Sequence, residues 1–384
     1  MKRISILFSL LLMVSATYAQ EIYSFGRNAV VSPEITDTDI TFRISAPKAV
    51  VVTVRPSWLG YGDKPIALKE GENGIWSVTV PKPEPELYTY SFSVDGINMN
   101  DPANIVLQRD GSRYTSAVLI EGGHADLYKE ADHKGNLHQD WYWSATDGME
   151  RRLYVYTPYG YEKGKNYPVL YLLHGGGGDE DAWCTLGSAR QILDNLIEQG
   201  KATPMIVVMP NGNPGQYASA PLKIAEKKIN RTFSNNFNNY QSLAADILPY
   251  IESHYKVSKK RTDRAVAGLS MGGGQSFYVA FSNIDKFANV GIFSSGLFGG
   301  NVGNGPFDAE KEMPGILNTP EKYNKLDNFY VSCGEQDDRI TGTNSVVEGF
   351  RKVGYNVTYE TFQGAHEWKV WRRSLANFVQ KIFK

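Results

Sequence analysis

The chain has 384 residues but only two cysteines and six histidines. Two thiols cannot form a disulfide framework, and Cys184 and Cys333 read as unpaired, buried thiols rather than as a single bridge. The only close histidine pair, His133 and His138, has no further ligand at zinc-type spacing, so no metal is expected. Charge of one sign is also missing. The 40 basic and 41 acidic residues leave a net charge of −1, with no basic stripe for nucleic acid and no like-charged tail. Neither G-x-x-x-x-G-K-[ST] nor G-x-G-x-x-G occurs in context, so no nucleotide cofactor is expected.

Long hydrophobic runs are absent as well. Residues 4–14 form an apolar run too short to span a bilayer comfortably. Lys2 and Arg3 precede it and Ser15-Ala16-Thr17-Tyr18-Ala19 follows, the order of a secretory signal peptide cut after Ala19. The expected address is therefore secreted or periplasmic, with no membrane span.

Two modules are legible beyond it. Residues 20–121 carry short alternating strands (40–44, 50–54, 76–80 and 88–94) divided by turns such as Glu72-Asn73-Gly74 and Asp95-Gly96. That spacing predicts a β-sandwich. Residues 122–135 read as a polar linker. From 136 to 384 strands alternate with helical segments, which predicts a parallel sheet flanked by helices, an α/β domain.

The chemistry is concentrated in the second module. Gly268-Leu269-Ser270-Met271-Gly272 is a G-x-S-x-G elbow between a short apolar strand and a helical stretch. A serine hydroxyl is a weak nucleophile at neutral pH and needs both exposure and a base. Small residues on either side permit the strained strand-to-helix turn that provides the exposure. After Ser270 come an apolar strand at 328–332 and then three carboxylates, Glu335, Asp337 and Asp338. A later strand at 357–362 leads to Gly364-Ala365-His366. Serine, acid and histidine thus follow in α/β-hydrolase order, the last two in loops just past strands. Spacing alone does not choose among the three carboxylates. The apolar run 169–173, a strand buried on both faces, ends in His174-Gly175-Gly176-Gly177-Gly178. Glycines there let backbone amides face a substrate oxygen, and Gly176 and Met271 are the expected oxyanion donors. His174 is expected to brace this loop.

From residue 136 onward the chain resembles carbohydrate esterase family 1, the esterase D type of α/β-hydrolase. The match is carried by Arg151-Arg152-Leu153-Tyr154-Val155-Tyr156-Thr157-Pro158, the 171–178 run with Trp183, Met209-Pro210-Asn211, the elbow, Cys333-Gly334 with Asp337, and His366-Glu367-Trp368 with Trp371. The N-terminal part, from Phe42-Arg43-Ile44-Ser45-Ala46-Pro47 to Val94-Asp95-Gly96 and Asp101-Pro102, resembles an E-set, immunoglobulin-like domain of the family 48 carbohydrate-binding type. The resemblance implies an α/β-hydrolase domain behind a smaller immunoglobulin-like sandwich, and a triad of Ser270, Asp337 and His366. It implies a serine esterase without cofactor or metal, acting on feruloyl esters of arabinoxylan or related plant cell-wall polysaccharide. An acetylxylan esterase is the alternative; an enterochelin-type esterase, an acyltransferase and a non-catalytic glycan-binding protein rank lower. Gly175, Trp183, Asn211 and Trp368 are the expected substrate contacts. Tyr217, Phe233, Phe237 and Tyr240 mark the 211–240 segment as a pocket-building loop.

Overall fold

The computed structural model describes residues 30–60, 62–161, 166–213, 216, 218–219, 240–302 and 305–384. The expected signal peptide, Tyr217, Phe233 and Phe237 lie outside the described residues. The chain divides into two compact units, one comprising residues 1–55, 64–82 and 92–105, the other 56–63, 83–91 and 106–384.

The first unit is β-rich. Glu34–Ile35, Asp39–Ser45, Ile75–Pro81 and Lys69–Glu70 form an antiparallel four-stranded sheet in that spatial order. Alternation decides its faces: Ile40, Phe42 and Ile44 point inward, where Phe42 meets Phe92 edge to face at 6.4 Å. Asp95 and Gly96, both at positive φ, close a two-residue hairpin that pairs Val94 with Ile97.

In the second unit, eight strands among the described residues form one sheet. We number them β1 (Asn136–Ser144), β2 (Met149–Thr157), β3 (Val169–Leu173), β4 (Ile206–Pro210), β5 (Arg264–Leu269), β6 (Asn289–Phe293), β7 (Asn328–Gly334) and β8 (Val357–Phe362). Their order is β1-β2-β4-β3-β5-β6-β7-β8. The sheet is mixed rather than purely parallel. The turn through Gly148 joins β1 and β2 as an antiparallel hairpin, and β2 also runs antiparallel to β4. From β4 to β8 all neighbours are parallel.

The main helices are α1 (Ala189–Glu198), α2 (Leu248–His254), α3 (Met271–Ser282), α4 (Ile340–Lys352) and α5 (Trp368–Val379). Successive residues of β3 feed opposite cores. Val169, Tyr171 and Leu173 pack with α3 and α4 residues such as Phe277, Phe281 and Phe350. Leu170 and Leu172 pack with α1 and α5 residues such as Leu193, Leu375 and Phe378. Burial on both faces explains the uninterrupted apolar sequence of the central strands. A short helix, Gly123–Tyr128, lies within the expected linker with Ala125 and Tyr128 buried, because Tyr128 lies under the Arg372 guanidinium at 5.1 Å.

Candidate active site

Strand β5 delivers Ser270 to an abrupt turn. Its φ of 49° and ψ of −111° are costly for a residue with a Cβ, and α3 begins at the next residue. Three backbone hydrogen bonds hold the turn: the Ser270 amide donates to Phe293 O at 2.9 Å, and Ser270 O accepts from Gly274 and Gly296 at 3.1 and 2.9 Å. The flanking glycines are required by close approach. A Cβ on Gly268 would sit 2.5 Å from the Gly272 backbone, and one on Gly272 would sit 2.5 Å from His174 O.

His366 reaches this serine from the loop after β8. Its Nε2 is 2.9 Å from Ser270 Oγ, and its Nδ1 is 2.7 Å from Asp337 Oδ2. Asp337 lies in the loop after β7 with its side chain wholly buried. Burial alone would raise its pKa. The hydrogen bond from His366, the Arg339 amide at 3.0 Å and the nearby Arg339 guanidinium outweigh that and hold it at about 2. The structure thereby separates the three carboxylates. Asp338 is exposed, and Glu335 is exposed and turned towards Gln363. The Trp371 ring stands edge-on to His366 at 4.9 Å and walls the imidazole on one side.

The glycine loop after β3 lies beside the nucleophile. A Cβ on Gly175 would fall 2.5 Å from Leu269 Cδ1 and 3.3 Å from Ser270 Cβ, whereas Gly176 is exposed with open space at that position. Met271, the first residue of α3, has an amide with no intrahelical acceptor. His174 is a brace. It is buried, its Nε2 accepts from the Gly212 amide at 2.9 Å, and Nδ1 therefore carries the proton and donates to Gly175 O at 2.8 Å. Burial keeps it neutral by lowering its pKa.

Two of the expected substrate contacts are corrected. Trp183 is 1% exposed, donates its indole N–H to Leu173 O at 2.9 Å and packs edge-on to Phe293 and Trp368, so it is core. Asn211 is equally buried. It donates to Glu180 at 2.9 Å and accepts from the Asn213 amide, shaping the loop after β4. Tyr240 is also buried. Trp368 differs: it is half-buried and lines a cleft of about 840 Å³ together with Trp58, Tyr88, Ala365 and Glu367. Since Ala365 and Glu367 flank His366 in sequence, this cleft borders the histidine loop. Neither thiol competes with the serine. Both cysteines are free, and burial pushes Cys333 up to about 11 and raises Cys184 further.

Sequence reasoning missed the buried charges that frame these loops. Arg151 donates to Asn211 O and Asn213 O at 2.6 and 2.7 Å, and Arg152 donates to Glu180 at 2.8 Å. Arg109 grips Asp179 and Asp181. A signal existed in the Asp179-Glu180-Asp181 run directly after the glycines, too acidic for a segment leading into buried Ala182 and Trp183 unless cations meet it.

The sheet order and the elbow define an α/β-hydrolase, and known proteins share the arrangement. A ferulic acid esterase from Anaeromyces mucronatus, solved in complex with ferulic acid, is 25% identical with a TM-score of 0.55, covering 66% of this chain and 93% of that one. The enterobactin esterase of Shigella flexneri, 13% identical with a TM-score of 0.65 over 90% of this chain and 94% of its own, shares the fold. An endo-1,4-beta-xylanase/feruloyl esterase of Xylanibacter ruminicola is 32% identical over 354 residues, 89% of this chain and 44% of that protein. The chain spans less than half the length of that curated relative. The chain thus resembles proteins described as esterases. More narrowly, it belongs to the esterase family whose model, described as "Putative esterase", matches residues 144–382.

Proposed function

We propose that the protein is an exported serine esterase that releases hydroxycinnamic acids such as ferulate from plant cell-wall polysaccharide. The observation that carries the chemistry is the line Ser270 Oγ, His366 Nε2, His366 Nδ1, Asp337 Oδ2, with hydrogen bonds of 2.9 and 2.7 Å. Ser270 attacks the ester carbonyl while His366 takes its proton, and Asp337 orients the imidazole and stabilises its charge. The amides of Met271 and Gly176 receive the oxyanion, each donor contributing about 3–4 kcal/mol to the transition state. His366 returns the proton to the departing sugar oxygen. Water activated by the same imidazole then attacks the acyl-serine and frees the acid. No step requires a metal or cofactor.

The feruloyl preference is supported by the 32% identity to a xylanase/feruloyl esterase and by the aromatic cleft beside the histidine loop. Flat rings such as Trp58, Tyr88 and Trp368 suit a phenolic acyl group or a sugar face. The N-terminal β-rich unit belongs in this reading as an immunoglobulin-like E-set module. The test is to incubate the pure protein with feruloylated and acetylated xylan oligosaccharides and identify the acids set free. Ferulate release supports the reading. Acetate alone makes the protein an acetylxylan esterase, and transfer to an added sugar acceptor makes it an acyltransferase.

A further inference from the structure

The glycine run that lends the Gly176 amide has no side chain of its own to fix it. Gly176 and Gly177 are exposed, and Gly177 adopts a φ of +82°. Glycine loses more backbone entropy on ordering than any other residue, while an oxyanion donor must be held to within a fraction of an ångström. The loop must therefore be pinned at its ends. His174 pins the near end. At the far end Asp179, two residues beyond Gly177, is almost fully buried and held by Arg109, whose side chain is 5% exposed.

Arg109 comes from the strand Leu107–Asp110, which pairs antiparallel with Arg113–Ile120. Its planar guanidinium is fully engaged. Nη1 donates to Asp179 Oδ2 at 2.9 Å and to Gly111 O, Nη2 donates to Asp179 Oδ1, and Nε donates to Asp181 Oδ2 at 2.8 Å. Asp179 Oδ1 also caps the Asp181 amide at 3.0 Å, and Asn213 holds Gly178 O at 2.7 Å. The hairpin tip itself lies against the loop, since a Cβ on Gly111 would be 3.3 Å from Gly177 O. Buried ion pairs add little net stability over apolar packing, but a bidentate fork imposes one geometry.

We infer that Arg109 is a positioning residue for the esterase reaction, fixing the Gly176 amide through its fork on Asp179; this rests on the function proposed above. Arg109 touches no substrate. Its loss misplaces an oxyanion donor that acts in the transition state, so kcat falls while KM changes little.

The experiment compares wild type, Arg109→Met, Arg109→Ala, Arg109→Lys and Asp181→Asn on methyl ferulate, with phenylboronic acid as a tetrahedral mimic that places an oxygen in the oxyanion hole. Arg109→Met should lose on the order of a hundredfold in kcat, as expected for roughly ångström-scale misplacement. Its boronate affinity should weaken in parallel. Arg109→Lys should not rescue, because an ammonium cannot form the fork, whereas free guanidinium should partly restore Arg109→Ala. Asp181→Asn keeps the Asp179 fork and should show a smaller loss in the same direction, which reads the same quantity if Arg109→Met fails to fold. Folded variants with unchanged kcat and boronate affinity, or with only KM altered, overturn the inference. A wild type without turnover or a Ser270-dependent burst removes the esterase reading and this inference with it; normal wild-type turnover beside unaffected variants removes the inference alone.

Discussion

At the scale of single residues, the site depends on groups held in conformations or charge states they would not adopt alone. Ser270 is kept at positive φ by the bonds of its neighbours, and His174 is kept neutral by burial. Asp337 is the clearest case. With its pKa near 2 in the folded protein against about 3.9 in an open chain, it favours folding above about pH 4. That contribution is lost as the pH falls through 2, because the unfolded chain takes up the proton first. Asp337→Asn should therefore flatten the loss of thermal stability between about pH 4 and 2. It should also lower kcat by about 10⁴ at neutral pH, since an amide presents the wrong hydrogen-bonding partner to His366. Stability curves of the two proteins that run parallel through this range would contradict the assigned environment.

At the scale of elements, much of the site was legible because its signals are local. The elbow, the strand-and-glycine run and the histidine loop are contiguous strings, each ending a strand, and all three lie where the sequence put them. Spacing left the choice among Glu335, Asp337 and Asp338 open and the family resemblance pointed to Asp337; the fold of the loop turns that carboxylate to the imidazole. The antiparallel β1–β2 hairpin escaped for a similar reason, as apolar strands read alike whichever way their neighbours run. Trp183 and Asn211 misled because side chains near a site in sequence can face the core in space. The same distinction between position and direction separates two adjacent glycines. Gly175→Ala should disturb Leu269 and Ser270 and cost at least tenfold in kcat, judged against the roughly hundredfold effect of an ångström's displacement. Gly176→Ala, with space for its methyl group, should retain the fold and the thermal midpoint of the wild type. Kinetics and melting curves of the two variants check this, and equal damage in both would refute the placement of the loop.

At the scale of the whole molecule, the larger unit takes in chain segments from well before its eight-stranded sheet. Glu86 is buried and accepts from Arg372 of α5 at 2.9 Å and interacts with His124 at 2.9 Å. Burial opposes its charge, but these partners win and lower its pKa. Removing one member of such a cluster leaves Arg372 charged and unpaired. Glu86→Ala should cost about 3–5 kcal/mol of stability, read as a lower chemical-denaturation midpoint. The secreted address and the E-set character of the first unit belong to the proposal, whereas the hydrolase fold and the esterase family are established features of the chain. The proposed reaction passes through a covalent intermediate on one side chain. The most direct measurement is to quench the protein in acid during turnover of methyl ferulate and map the modified peptide by mass spectrometry. A feruloyl group on Ser270, absent from Ser270→Ala, is the predicted result. Sustained hydrolysis by Ser270→Ala, or an acyl group found on another residue, would contradict it.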